Sequence, residues 1–226
     1  MQLFGQHPDS ITCQILPPGF LGYNRFCPYT RDPSDRGNWT APDLTKARKL
    51  VRASGTRGMP VTVWEVSSLA GPRVARLLAG VLQTLGYRPR IRFLKDLDTF
   101  AAYISDSKNR VQIGGWGWGA DYPAPSTFFS ALLTCKSFVP NSPANDNQSE
   151  FCDPRIDRGV RKAVALQVTD LSASGPRWAK IDREVMQQAP WVPLLSIRHV
   201  NFVSKRVGNY QFNPVMFALL DQMWVR

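Results

Sequence analysis

The sequence predicts an α/β fold with a mostly parallel sheet flanked by helices. Three observations carry that expectation. Between residues 60 and 116, runs rich in β-branched residues alternate with apolar residues at helical spacing, giving the order strand, helix, strand, helix, strand. The connections between the strands are too long for hairpins and suit right-handed crossovers. The chain has 226 residues, 43% of them hydrophobic, enough for one sizeable core or two small ones.

The elements follow in order. Residues 1–42 lack sustained periodicity, and Pro17-Pro18-Gly19 and Asp32-Pro33-Ser34-Asp35-Arg36-Gly37 mark turns. So long an irregular segment needs support from a disulfide or from neighbouring structure. Asp43 is placed to cap a helix whose apolar positions are Leu44, Ala47, Leu50 and Val51, with Gly55 just beyond its end. A strand is expected over Pro60–Val66, a helix over Pro72–Leu85 ended by Gly86, and a second strand over Arg90–Leu94. A short helix over Leu97–Ser105, with Asp96 as its cap, precedes a third strand over Arg110–Trp116. Ser126–Leu133 predicts a short helix, and Asp153-Pro154 a helix start, a cap followed by proline at the first helical position. Ser174-Gly175-Pro176 is expected to open the next helix, which Pro190 ends. Trp191–Leu195 and His199–Val203 are short extended runs, and the aromatic tail from Gly208 has no clear period. Both ends of the chain look built to lie against another lobe.

Composition excludes several classes. No stretch approaches ~20 consecutive apolar residues, so no membrane-spanning helix is expected. The chain carries 28 Lys+Arg against 17 Asp+Glu, a net charge of +11, which invites a polyanion hypothesis. Arginine supplies 20 of the 28 and is scattered from Arg25 to Arg226; Arg88, Arg90 and Arg92 are the densest group. No basic stretch is interleaved with stacking aromatics as single-strand binders require. A basic nucleic-acid-binding α/β domain therefore stands only as the alternative reading. Phosphate-binding loops, dinucleotide fingerprints, a nucleophile elbow and a metalloprotease helix are all absent, so no enzyme and no cofactor are expected.

Four cysteines form two local pairs. Cys13 and Cys27 flank a Pro/Gly-rich loop, and Cys135 and Cys152 flank a run of Pro, Asn, Asp, Gln and Ser. With no C-x-x-C and only His7 and His199, no metal site is expected. The cysteines are either two disulfides in an oxidising compartment or four reduced, buried thiols. Each disulfide would close a loop worth roughly 3 kcal/mol in the chain-entropy account.

The informative segment is Trp116-Gly117-Trp118-Gly119-Ala120-Asp121-Tyr122-Pro123-Ala124-Pro125. It lies at the carboxyl end of an expected parallel strand, where open α/β sheets bind ligands. Two indoles, a phenol and a single acid separated by glycines suit small-molecule recognition, with Asp121 drawing a cationic group. On the competing reading Trp116 and Trp118 are core residues and Asp121 caps the following helix.

These residues resemble the carboxyl-terminal portion of extracellular solute-binding proteins of family 5, the peptide- and nickel-binding components of ABC importers. Ile15-Leu16-Pro17-Pro18-Gly19-Phe20-Leu21-Gly22-Tyr23 is similar to the segment that leaves the family's first lobe. Asp43–Val51 followed by Gly55 is similar to the helix preceding the second lobe's sheet. Trp118–Pro125 matches the Trp-x-Ala-Asp-Tyr-x-x-Pro signature, and Phe151–Asp157 and Ala189–Leu194 extend the match.

The resemblance implies a type II periplasmic-binding-protein-like lobe plus partial segments of a second one. Residues 1–42 would connect from a preceding amino-terminal lobe, 43–190 would form the ligand-binding lobe, and 191–226 would return. It further implies a substrate-binding component that takes peptides or similar small solutes outside the cytoplasmic membrane and delivers them to permease subunits. Membrane attachment would come only through an upstream anchor. By position Asp121 would pair with a ligand's α-amino group, with Trp118 and Tyr122 beside it and Trp116 included by proximity. The resemblance also supports the pairings Cys13–Cys27 and Cys135–Cys152.

Overall fold

A computed structural model describes residues 10–197, 200–213 and 217–226. His7 and His199 lie outside them. The elements are β1 (Ser10–Ile11), α1 (Leu44–Ala53), β2 (Pro60–Val66), α2 (Gly71–Leu85), β3 (Arg88–Leu94), α3 (Leu97–Ser105) and β4 (Ile113–Gly114). There follow α4 (Ser126–Leu132), α5 (Pro154–Thr169), α6 (Leu171–Gln188), β5 (Leu195–Ser196), β6 (Val207–Gly208), β7 (Phe212–Asn213), β8 (Phe217–Ala218) and β9 (Trp224–Val225).

The central sheet has the order β3-β2-β4, all parallel, with Val63 opposite both Ile91 and Ile113. This is the crossover topology expected from the alternation of elements. Trp64 and Val66 lie on one face and pack against Phe100 and Ile104 of α3. Val63, on the other face, is fully buried, and α2 packs on β2 and β3. Asp43 caps α1 by accepting from the Lys46 N–H, Asp96 caps α3 through the Thr99 N–H, and Asp153 caps α5 through the Arg155 N–H. Gly86 closes α2 in the left-handed conformation.

Several boundaries differ from expectation. The third strand is paired only over Ile113–Gly114, because Arg110 turns left-handed (φ 47°) at the end of a 3-10 turn and the chain is not yet extended there. The last helix begins at Leu171 rather than Ser174. Asp170 closes α5 and opens α6, accepting from the Ala173 N–H, so Pro176 falls in the second turn on the exposed side. Of the expected run Trp191–Leu195 only Leu195 pairs, in the strand Leu195–Ser196 antiparallel with Ser10–Ile11; of the other run His199 lies outside the described residues and 200–203 form no strand. The tail forms two short antiparallel pairs, β6 with β9 and β7 with β8.

The main core lies among α4, α5 and α6. Trp178 stacks on Phe129 with ring centroids 5.6 Å apart, and Ile156, Val160 and Val185 close around them. The irregular amino-terminal segment joins this core. Leu16 is fully buried in it. Asp182 accepts from Gln14 Nε2 (3.0 Å), Ile15 N (3.0 Å) and Leu16 N (3.2 Å), and Gln14 Oε1 in turn accepts from Phe26 N. Gly22 (φ +82°) brings its backbone against Gly175 and Trp178, where a Cβ would collide with the Gly175 carbonyl.

Both cysteine pairs are joined, Cys13–Cys27 and Cys135–Cys152. The second closes a loop that is polar yet not simply solvated. Asn145 and Asn147 are buried. Asn145 donates to Ser105 O and Asn147 O, and Asn147 donates to Thr134 O and Phe151 O. Two buried amides thus take the place of an apolar core inside this loop.

Candidate ligand-binding site

The parallel ladder ends at Gly114, and the chain then leaves the carboxyl edge of the sheet through Gly115 into the aromatic segment. Trp116 is half-buried on the α3 side, its ring centroid 6.4 Å from that of Phe100. Trp118 is also half-buried but packs against the α4–α6 core. The two indoles therefore belong to different clusters, as their spacing across an extended, glycine-broken segment dictates. Both indole Nε1 atoms are buried without a hydrogen-bond partner.

Asp121 is exposed, and it does not cap α4, whose N-cap is Pro125. Instead its Oδ2 accepts from Thr127 Oγ1 (2.9 Å), while that same hydroxyl accepts from the Asp121 N–H (3.0 Å). Thr127 is fully buried in the first turn of α4. A rigid helix thereby holds one carboxylate oxygen and leaves the rest of the group facing outward. Tyr122 is exposed beside it. Asp121, Tyr122 and Pro123 are exposed, so this part of the segment is open to solvent. Two hollows, of about 740 and 510 Å³, lie elsewhere, one beside Lys108, Arg110 and Glu150 and the other beside Thr134, Asp157 and Val164.

One acid near this edge has no counterpart in the sequence-based expectations. Glu65 of β2 is buried, and its Oε1 has no hydrogen-bond partner. It lies against Gly115, where a Cβ would collide with that oxygen. The sequence carries one signal for it, since Glu65 alternates onto the same strand face as Val61 and Val63. Burial pushes its carboxyl up to about 7, opposed by the backbone N–H groups of Val66 and Gly115. Because the folded value exceeds the unfolded one, the folded state holds the proton longer as pH rises. The associated stability is fully present below about pH 4.5 and lost as pH rises through about 7. Glu65→Gln is expected to flatten the fall of melting temperature with pH between 4.5 and 8 by its own share; an unchanged slope would contradict it.

The parallel sheet with helices on its faces has the architecture of a periplasmic-binding-protein-like fold. Solved structures bear this out. The chain superposes on clavulanic acid biosynthesis oligopeptide binding protein 2 with a TM-score of 0.84, 21% identity and coverage of 96% of this chain and 39% of that one. For the Helicobacter pylori binding protein DppA, in complex with the peptide STSA, the values are 0.72, 19%, 96% and 39%. For OppA of Burkholderia pseudomallei they are 0.70, 22%, 96% and 41%.

Among curated proteins, di/tripeptide-binding protein 4 of Pseudomonas aeruginosa is 24% identical over 221 residues, covering 94% of this chain and 37% of that protein. The glutathione-binding protein GsiB of Pectobacterium atrosepticum is 24% identical over 185 residues, covering 79% and 35%. No family model matches the chain. The relatives are named as binding proteins, and the resemblance to peptide-type solute-binding proteins stands on them. The chain spans just over a third of the length of these relatives.

Proposed function

We propose that this chain is the ligand-binding lobe of a substrate-binding component of an ABC importer, non-enzymatic, working outside the cytoplasmic membrane. Its ligand is a peptide or a similar small solute with a free amino terminus, which the protein passes to permease subunits. Residues 43–190 carry the ligand surface, with residues 14–26 packed into the same core, while the chain beyond 190 runs toward a second lobe. The observation that carries this reading is Asp121, an outward carboxylate fixed by buried Thr127 at the carboxyl edge of the sheet. The relatives named for di/tripeptides and glutathione give it its ligand class. The two disulfides support the compartment, as does the Helicobacter pylori DppA, which is named a periplasmic binding protein. Among the described residues no helix is long and apolar enough to cross a membrane.

In this reading the open surface is one wall of a cleft. Closure of the opposing lobe removes water, and the Asp121–ammonium pair strengthens as the local dielectric falls. Trp118 and Tyr122 supply flat apolar contact, with Trp116 adjacent. In the two-lobed protein, Asp121→Asn is expected to weaken peptides with a free amino terminus at least tenfold, the value of one charged hydrogen bond. N-acetylated peptides should change little. Calorimetric titration of both peptide forms tests this, and an equal loss for the two would sink the amine-pairing role.

A further inference from the structure

The charge is not spread evenly through the fold. Residues 44 to 95 contain eleven Lys or Arg and one acid, Glu65, while the rest of the chain carries 17 basic and 16 acidic residues. The single acid is buried, and all eleven basic residues are exposed. Among the described residues the one ion pair in this stretch is Lys95 with Asp96, at 3.6 Å. Nine of the eleven lie on α1, α2 and β3, so most of the net charge is carried there.

The geometry gathers part of it further. Arg88, Arg90 and Arg92 alternate along one face of β3, which is an edge strand, so they form a row with a spacing of roughly 7 Å. At the amino end of the same strand two turns meet, with the Gly58 N–H donating to Gly86 O. Arg88 Nε donates to Gly58 O, the Arg57 side chain lies against Gly86, and Arg48 Nε donates to Thr84 O. Arg48, Arg57 and Arg88 thus surround the foot of the row. This end of the strands is opposite the carboxyl edge that leads into the Trp116–Pro125 segment.

We infer that the β3 edge and the turns at its foot form a docking surface for an extended polyanion with repeating phosphate groups, an anionic polymer of the cell envelope. A row of single charges about 7 Å apart suits a linear chain of anions better than one isolated phosphate or a flat bilayer. The foot of the surface lies at the far end of the strands from the ligand segment, and at its upper end Arg92 is separated from Gly114 by β2. The protein is held near its place of work while free to take up solute. The placement outside the cytoplasm rests on the functional proposal above, whereas the binding surface does not.

The test uses inorganic polyphosphate as the probe and the full chain, with binding followed across a salt series. The Arg88→Gln/Arg90→Gln/Arg92→Gln variant is expected to bind at least tenfold more weakly at 0.1 M salt. The slope of log affinity against log salt should fall by about 2, as loss of three phosphate contacts requires. The Arg90→Gln/Arg92→Gln variant, which leaves the Arg88–Gly58 bond intact, should show about two thirds of that change in slope. A control with the same charge change on α5, Arg158→Gln/Arg161→Gln/Lys162→Gln, should bind like the wild type. Equal weakening by the α5 control would overturn the proposal by reducing it to net charge. Tighter binding to phosphatidylglycerol vesicles or to single-stranded DNA than to polyphosphate would overturn the choice of partner. Peptide affinity is read separately, so failure of this surface and failure of the Asp121 assignment are distinguishable.

Discussion

Trp178→Ala is expected to lower the unfolding free energy by about 4 kcal/mol. Trp178 is fully buried, stacked on Phe129, and touched by the close backbone approach of Gly22. Truncation removes the largest fully buried side chain and leaves a void bounded by three helices and the amino-terminal segment. Those walls cannot all collapse inward, since Gly22 and Gly175 already bring two backbones into contact. For a chain of 226 residues the loss corresponds to roughly 10 °C in melting temperature. Trp178→Phe keeps the stack and should cost less than half as much. Calorimetric melting of both variants checks this, and a shift below about 3 °C for the alanine variant would refute the central place given to this residue.

The second large effect is expected at Asp182. Asp182→Ala leaves Gln14 Nε2, Ile15 N and Leu16 N without their acceptor, and stranded buried donors cost about 1–3 kcal/mol each. About 4 kcal/mol is expected near pH 4. The difference should shrink at higher pH. Burial raises the Asp182 carboxyl to about 6, against hydrogen bonds from Ile15, Gln14 and Leu16 that lower it. Its folded value therefore exceeds the unfolded 3.8, and the wild type loses this stabilisation as pH rises through about 6. The alanine variant has no such loss. Denaturant titrations at pH 4 and pH 7 test the sign: a gap that widened with pH would contradict it. Hydrogen exchange should also locate the damage, with protection falling first around residues 14–16 and 26.

How much was legible in the sequence follows from where the determining interactions lie. The α/β alternation was legible because β2, α2, β3 and α3 each bury one face at their own period, and Asp43, Asp96 and Asp153 announce their helices locally. The start of α6 was not. Ser174-Gly175-Pro176 has the composition of a helix opening, but the Asp170 carboxylate supplies the cap four residues earlier and the proline is carried on the exposed side. The third strand was overdrawn because the left-handed Arg110 is a property of the turn before it.

At the candidate site, Asp121 and its aromatic neighbours were legible as a segment. The Asp121–Thr127 contact was not, since it depends on how α4 docks. Asp182 and Glu65 each left a trace, an acid on an apolar face. Asp182 falls one turn after Trp178, and Glu65 alternates with Val61 and Val63. The charge of the β3 edge was partly visible as Arg88, Arg90 and Arg92. What joined Arg48 and Arg57 to them was the meeting of two turns nearly thirty residues apart, Gly58 with Gly86.

The Asp182 contacts also set an order of events. Gln14, Ile15 and Leu16 bond a residue 166 to 168 positions later in the chain. Cys13 and Cys27, only 14 positions apart, meet a far smaller closure cost than those contacts do. The expected order is that the amino-terminal segment closes over α4–α6 after those helices have assembled, so that substitutions at Gln14 speed unfolding and leave the folding rate nearly unchanged in stopped-flow kinetics.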